Sequence, residues 1–232
     1  MSVVALRPIV APMALSLNAR LGALHEERRR SWDPAVLQIN IDQRAELLAA
    51  ADPKRWRTAG DAMPSAQLVD AETGPFWLHD RLAGGPVVLL FFRFAGCPAC
   101  NIALPYYNDT LAPALRSRGV QLIGVSPQVP GRLIDIKRRH ELDFAIASDP
   151  GNGLARRIGI AFTANAATQQ QAQPGQPWLG ETVGTGTWEL PQPAVLVIGS
   201  DGQVVFIDVT PDWLHRTETE TIIKAIDSAA LQ

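Results

Sequence analysis

Cys97 and Cys100 are the only two cysteines in the chain, and they follow directly on an apolar run, Val87-Val-Leu-Leu-Phe-Phe-Arg-Phe-Ala-Gly96. That run is short, β-branched and aromatic, which predicts a buried strand. Gly96 breaks it, and the mostly apolar Cys97-Pro-Ala-Cys100-Asn-Ile-Ala-Leu-Pro105 predicts a turn entering a helix. Cys97 then stands at a helix N-terminus, where unpaired backbone N–H groups and the positive end of the helix dipole favour a thiolate. Cys100 lies one turn on along the same face, within reach of the Cys97 sulfur. A bridge closing so short a loop stabilises a fold little, so the pair is expected to be reactive or metal-binding rather than structural. Zinc needs two more ligands, and His25, His79, His140 and His215 form no close-set pair, so no metal and no other cofactor is expected.

Composition narrows the setting. A chain of 232 residues suits one domain with an extension or two small domains, and 47% hydrophobic with 19% charged residues is the balance of a globular protein. A net charge of −2 offers nothing to nucleic acid or anionic lipid, and no apolar run approaches the roughly 18 to 20 residues of a membrane span. The N-terminus lacks a basic segment and Arg7, Pro8 and Pro12 interrupt its apolar stretch, which argues against a signal peptide. The first acidic residue is Glu26, so a transit peptide stays open, and a cytoplasmic location is the expectation.

Leu17, Leu21 and Leu24 recur at helical spacing ahead of His25-Glu-Glu-Arg-Arg-Arg30, read as a solvated helix face. Asp33-Pro34 then predicts an N-cap and first helical residue of a second helix to about Ala51. The Pro- and Gly-dense stretch from Asp52 to Pro64 separates this helical extension, residues 1–58, from a second unit, 59–232. There a hairpin is predicted around Ala71-Glu-Thr-Gly74. It is followed by the central strand, the cysteine helix to about Arg118, a strand to Ser126, a helix from Gly131 to His140, a strand at Phe144, and a short helix from Pro150. Alternation of this kind argues for βαβ units and a mainly parallel sheet. A hairpin, Ala194–Ile198 and Gln203–Ile207, and a C-terminal helix complete the unit. The long connection 163–193, with Trp178 and Trp188, is either a surface excursion with its tryptophans tucked against the core or a substrate lid.

The run from Val87 through Cys97-Pro-Ala-Cys100 to Pro105 resembles thioredoxin, with a kinking proline five residues past the second cysteine. Pro193 falls where that superfamily carries a cis-proline beside the active-site sulfur, so the resemblance implies a cis Gln192–Pro193 bond. It also leaves Pro98 and Ala99 as the dipeptide that tunes the redox potential. The arginine before Cys-Pro-x-Cys-Asn, with Gly124-Val-Ser-Pro127, Ser148-Asp-Pro-Gly-Asn152 and Trp188-Glu-Leu-Pro191, is similar to the peroxiredoxin-like group of the alkyl hydroperoxide reductase/thiol-specific antioxidant family. The implied fold is α/β, a thioredoxin-like central mixed sheet flanked by helices. Departures are as informative. The peroxiredoxin Pro and Thr positions fall on Leu90 and Phe94, and the distant arginine position on Val205. The buried aspartate of thioredoxin falls on Phe91, and its tryptophan on Gly96.

Three readings follow. In the first, Cys97 attacks protein disulfides or small thiol compounds and Cys100 resolves the mixed disulfide, with Arg93 adding a positive charge. In the second, Cys97 reduces hydroperoxides through a sulfenic acid. Both imply a thiol electron donor, thioredoxin- or glutathione-like. The third is non-enzymatic, with the helical extension and the Gln-rich long connection serving as an interaction or homodimer surface and the thiols serving as a redox sensor or doing nothing; burial of both thiols with a raised Cys97 pKa is its signature.

Overall fold

The computed structural model describes residues 15–171 and 177–229. The N-terminal stretch holding Arg7, Pro8 and Pro12 lies outside the described residues, as does 172–176 of the long connection. Two helices come first, α1 (Leu17–Ser31) and α2 (Pro34–Ala49). Ser16 caps α1 by accepting from Ala19 N, and the Asp33 carboxylate accepts from Ala35 N and Val36 N ahead of Pro34. A β-hairpin follows, β1 (Gln67–Asp70) and β2 (Gly74–Trp77), then α3 (Leu78–Leu82). The central strand is β3 (Val87–Phe91) and the cysteine helix is α4 (Pro98–Arg116). After them come β4 (Gln121–Ser126), α5 (Pro130–Arg139), β5 (Ala145–Ser148) and α6 (Gly153–Arg157).

The long connection is not structureless. It carries β6 (Ala161–Thr163), α7 (Ala166–Gln170), α8 (Leu179–Val183) and β7 (Glu189–Pro191), with β6 and β7 paired antiparallel. Half-buried Trp178 and Trp188 pack on each other, ring centroids 4.9 Å apart. The chain closes with β8 (Ala194–Ile198), β9 (Val204–Val209) and α9 (Thr219–Ala229).

The main sheet has seven strands in the order β2-β1-β5-β4-β3-β8-β9. It is mixed, and the expectation of a mainly parallel sheet is corrected. Only β3–β4 and β4–β5, joined by the crossover helices α4 and α5, run parallel; the pairings of β1 with β2 and β5, and of β8 with β3 and β9, are antiparallel. The βαβ alternation covers only the middle of the chain, and hairpins supply both flanks.

Every residue of β3 is buried, because the strand is covered on both faces. Val88 and Leu90 point into one core with α4, α9 and the α1 leucines, while Val87, Leu89 and Phe91 point into the other with Leu78, Leu154 and Ile158. The two-residue period of the strand thus divides the protein into two layers. Cys97 and Cys100 belong to the first. Leu17 and Leu21, both fully buried, join them there, so α1 is part of that core. Burying a leucine contributes roughly 1.5–3 kcal/mol relative to exposure. Among the described residues no helix is long and apolar enough to cross a membrane.

Candidate active site

β3 ends at Phe91, and seven residues later α4 starts on Pro98 with Cys97 as its N-cap. Pro98 occupies a first-turn position, where its missing N–H costs nothing. Inside the same helix Pro105 withholds the N–H that would bond to the Asn101 carbonyl. Gly96 and Pro98 are exposed, yet the side chain between them turns inward: Cys97 is 2% exposed and Cys100 fully buried. Both are free thiols.

The connecting loop is held by polar side chains. Ala95 N donates to Gln128 Oε1 at 2.7 Å, and Ser126 Oγ donates to Arg93 O at 2.9 Å. Asn101 Nδ2 donates to Ala95 O at 2.7 Å and to Cys97 O at 2.9 Å. Its Oδ1 accepts from Arg139 Nη1 at 3.0 Å and lies 2.8 Å from His140 Nε2, fastening the start of α4 to the end of α5. Gln128 and Asn101 thus fix the backbone on either side of Cys97.

The two thiols differ sharply in acidity. Cys97 is lowered to about 5, chiefly because the Cys100 thiol can donate to its sulfur. Burial opposes the shift, while the guanidiniums of Arg93 and Arg216 and the Cys100 backbone N–H support it. Cys100 moves the other way: burial, the hydrogen bond to Cys97 and the Cys97 charge all raise it well above the usual thiol value. The pair is one thiolate and one neutral thiol at neutral pH, with the anion on Cys97.

Arg93, expected near the thiols, is half-buried there, its guanidinium carbon 4.2 Å from the centroid of the buried Trp213 ring and 5.6 Å from that of Phe94. Two further arginines belong to this neighbourhood. Arg216, 5% exposed, follows β9 in an irregular segment, and its Nη1 donates to Trp213 O and, at 2.7 Å, to His215 O. Arg28, 4% exposed, feels the Cys97 charge from α1 and stacks on Trp32 at 4.7 Å. Reading Arg28 as part of a solvated face is therefore corrected; its neighbours Glu27 and Arg29 are exposed, but the helix turns position 28 inward. Among the described residues, Arg28 Nη1, Arg93 Nε and Arg216 Nη2 are buried without a hydrogen-bond partner. Val205, where relatives suggested an arginine, packs in β9 against the first core. The positive charge comes instead from Arg216, eleven residues further on, which no local signal in the sequence marks.

Gln192 and Pro193 require a second correction. No cis peptide bond occurs among the described residues, so the Gln192–Pro193 bond is trans. Gln192 N donates to Ile160 O at 2.8 Å while Pro193 O accepts from Thr210 N at 2.8 Å and Thr210 Oγ1 at 3.0 Å. The extended path from β7 into β8 satisfies these bonds with the isomer X–Pro bonds ordinarily prefer. The Gln192 side chain lines a separate hollow with Leu47, Trp56 and Phe162. Two other motifs meet away from the thiols: Asn152 Nδ2 donates to Glu189 O at 3.1 Å, and the Asp149 carboxylate caps α6 through Leu154 N and Ala155 N.

A thiol pair on a strand–turn–helix step beside a mixed sheet, with helices on both faces, defines a thioredoxin-like fold. Solved structures share this fold: peroxidoxin BcpB of Mycobacterium tuberculosis aligns at TM-score 0.55 with 19% identity, over 74% of this chain and 97% of that one. Vibrio vulnificus Prx3, solved with hydrogen peroxide, aligns at 0.58 with 21% identity, over 73% and 99%. The sequence profile of the AhpC/TSA family matches residues 59–207, and the chain belongs to that family. A Mycobacterium tuberculosis protein with a peroxiredoxin name is 30% identical over 93 residues, 40% of this chain and 58% of its own. Escherichia coli peroxiredoxin Bcp is 26% identical over 102 residues, 44% of this chain and 64% of its own. The chain thus spans less than two thirds of either relative.

Proposed function

We propose that the protein is a thiol peroxidase in which Cys97 reduces a hydroperoxide and Cys100 resolves the product. The observation that carries this reading is a thiolate-favouring sulfur that is only 2% exposed. A diffusible peroxide fits the access such a sulfur allows, whereas a folded protein disulfide needs a surface thiol. Membership of the AhpC/TSA family supports the same choice over disulfide reduction. The non-enzymatic reading called for burial with a raised Cys97 pKa; burial is met, but the shift is downward. Residues 1–58 act in this reading as an extension of the domain 59–232.

The Cys97 thiolate attacks the distal peroxide oxygen, the O–O bond breaks, and the alkoxide leaves as alcohol after taking a proton. The half-buried Arg93 and the buried Arg216 replace the missing threonine and arginine as donors to the developing charge. Cys97 becomes a sulfenic acid, which Cys100 attacks to form the disulfide with loss of water. Of the three causes that raise Cys100, two depend on the Cys97 thiolate and vanish once that sulfur is oxidised and neutral. The resolving thiol therefore becomes more acidic when it is needed. A dithiol or glutathione-like donor then restores both thiols.

Rapid mixing with hydrogen peroxide tests the proposal, with intact mass reporting the Cys97–Cys100 disulfide. Oxidation at the rate of a free thiol of equal thiolate fraction would sink it, as would faster reaction with a model protein disulfide than with peroxide.

A further inference from the structure

Arg216 sits in a segment, Thr210–Glu218, without regular secondary structure, so its position depends on individual anchors. Several come from the domain itself: Tyr107 Oη donates to Thr217 O at 2.6 Å, and Thr217 Oγ1 to Asp208 Oδ2 at 2.8 Å. The others come from the helical extension. Arg44 of α2 forms a two-pronged contact with Asp212 at 3.1 and 3.2 Å. Asn18 of α1 brackets Arg216 directly: its Oδ1 accepts from Arg216 N at 2.9 Å and its Nδ2 donates to Arg216 O at 2.8 Å. The orientation of the amide is locked, because Nδ2 also donates to Glu218 Oε1 at 2.7 Å. The Glu218 carboxylate in turn accepts from Leu17 N at 3.1 Å and Asn18 N at 2.9 Å, capping α1.

We infer that Asn18 is a positioning residue for Arg216, and that through it the N-terminal helix is a working part of the thiol site. The guanidinium bonds to carbonyls of its own segment, Trp213 O and His215 O, so it moves with that segment. Asn18 is what ties the Arg216 backbone to the rest of the molecule. The charged and titratable groups facing Cys97 are Cys100 on α4, Arg93 on the loop, Arg216 on this segment and Arg28 on α1. Two of those four depend on the docking of α1. The inference builds on the proposed role of Cys97 only in taking its thiolate as the working species.

The test is the pH dependence of Cys97 alkylation by iodoacetamide, read by peptide mass, which needs no peroxidase turnover and so separates failure of this inference from failure of the proposed activity. Asn18→Ala is expected to raise the Cys97 midpoint by roughly one unit, about a tenfold loss of thiolate below it. Arg216→Gln should raise it by a similar amount, and the double variant by no more than either alone, since both remove one interaction. Ser16→Ala, which removes the other cap of α1 without touching Arg216, should leave the midpoint in place. Should Asn18→Ala not fold, Asn18→Ser removes the amide donor more gently and is read in the same way. An unchanged midpoint in the folded Asn18 variant overturns the inference, as do shifts that add fully in the double variant.

Discussion

Gln128 and Ala95, 33 residues apart, share a buried hydrogen bond of 2.7 Å that ties the loop before Cys97 to the residues following β4. The same glutamine donates from Nε2 to Thr182 O at 3.0 Å, so one side chain bridges the cysteine loop and α8. Gln128→Leu leaves the buried Ala95 N–H without a partner, while Thr182 O keeps the Arg132 guanidinium at 2.7 Å. The expected cost is about 1–3 kcal/mol, measured as a lower urea midpoint with unchanged slope. A loss below about 0.5 kcal/mol would show that solvent reaches the loop and replaces the glutamine.

Cys97 should link stability to pH with a definite sign. Its folded value of about 5 lies below the ordinary thiol value of 9.0. Between those limits the unfolded chain holds a proton that the folded one lacks, so this group adds stability as pH rises. The contribution is complete above about pH 9, declines as pH falls, and is gone below about pH 5. Urea unfolding of wild type and Cys97→Ala at pH 5, 7 and 9 reads it directly: the stability difference should widen with pH. A constant difference across the three would refute a depressed Cys97.

The guanidiniums make separable contributions. Arg93→Gln, Arg216→Gln and Arg28→Gln should each raise the Cys97 midpoint, with Arg93 the largest of the three. Loss of Arg93 or Arg216 should slow peroxide oxidation of Cys97 on the order of tenfold to a hundredfold, as removal of a donor to a developing oxyanion does. Arg93→Lys keeps the charge but loses the flat stack on Trp213, so it should recover the midpoint better than the rate. Stopped-flow oxidation at saturating thiolate separates the two effects.

What the sequence revealed and what it hid divide by range. Leu17, Leu21 and Leu24, the Asp33-Pro34 start of α2, the buried β3 and the cap position of Cys97 rest on spacing within a few residues. Each could be read from its own neighbourhood. Arg216, Asn18 and Gln128 act across 33 to about 200 residues, and nothing near them in the chain announces it. Arg28 was concealed by company, since exposed charges surround it. The short α7 and α8 span little more than one turn each, too little for a period to show. The cis bond at Pro193 was borrowed from a superfamily, and the hydrogen bonds of this chain's β7–β8 junction are met without it.

The clasp between Glu218 and the first turn of α1 joins positions 200 and 201 residues apart. On a growing chain Cys97 leaves the ribosome long before Arg216 and Glu218 exist. Until they arrive, α1 has no clasp to close on, and the thiol lacks part of the charge that acidifies it. On the proposed role of Arg216, the last part of the charge that acidifies Cys97 is supplied by the C-terminal segment.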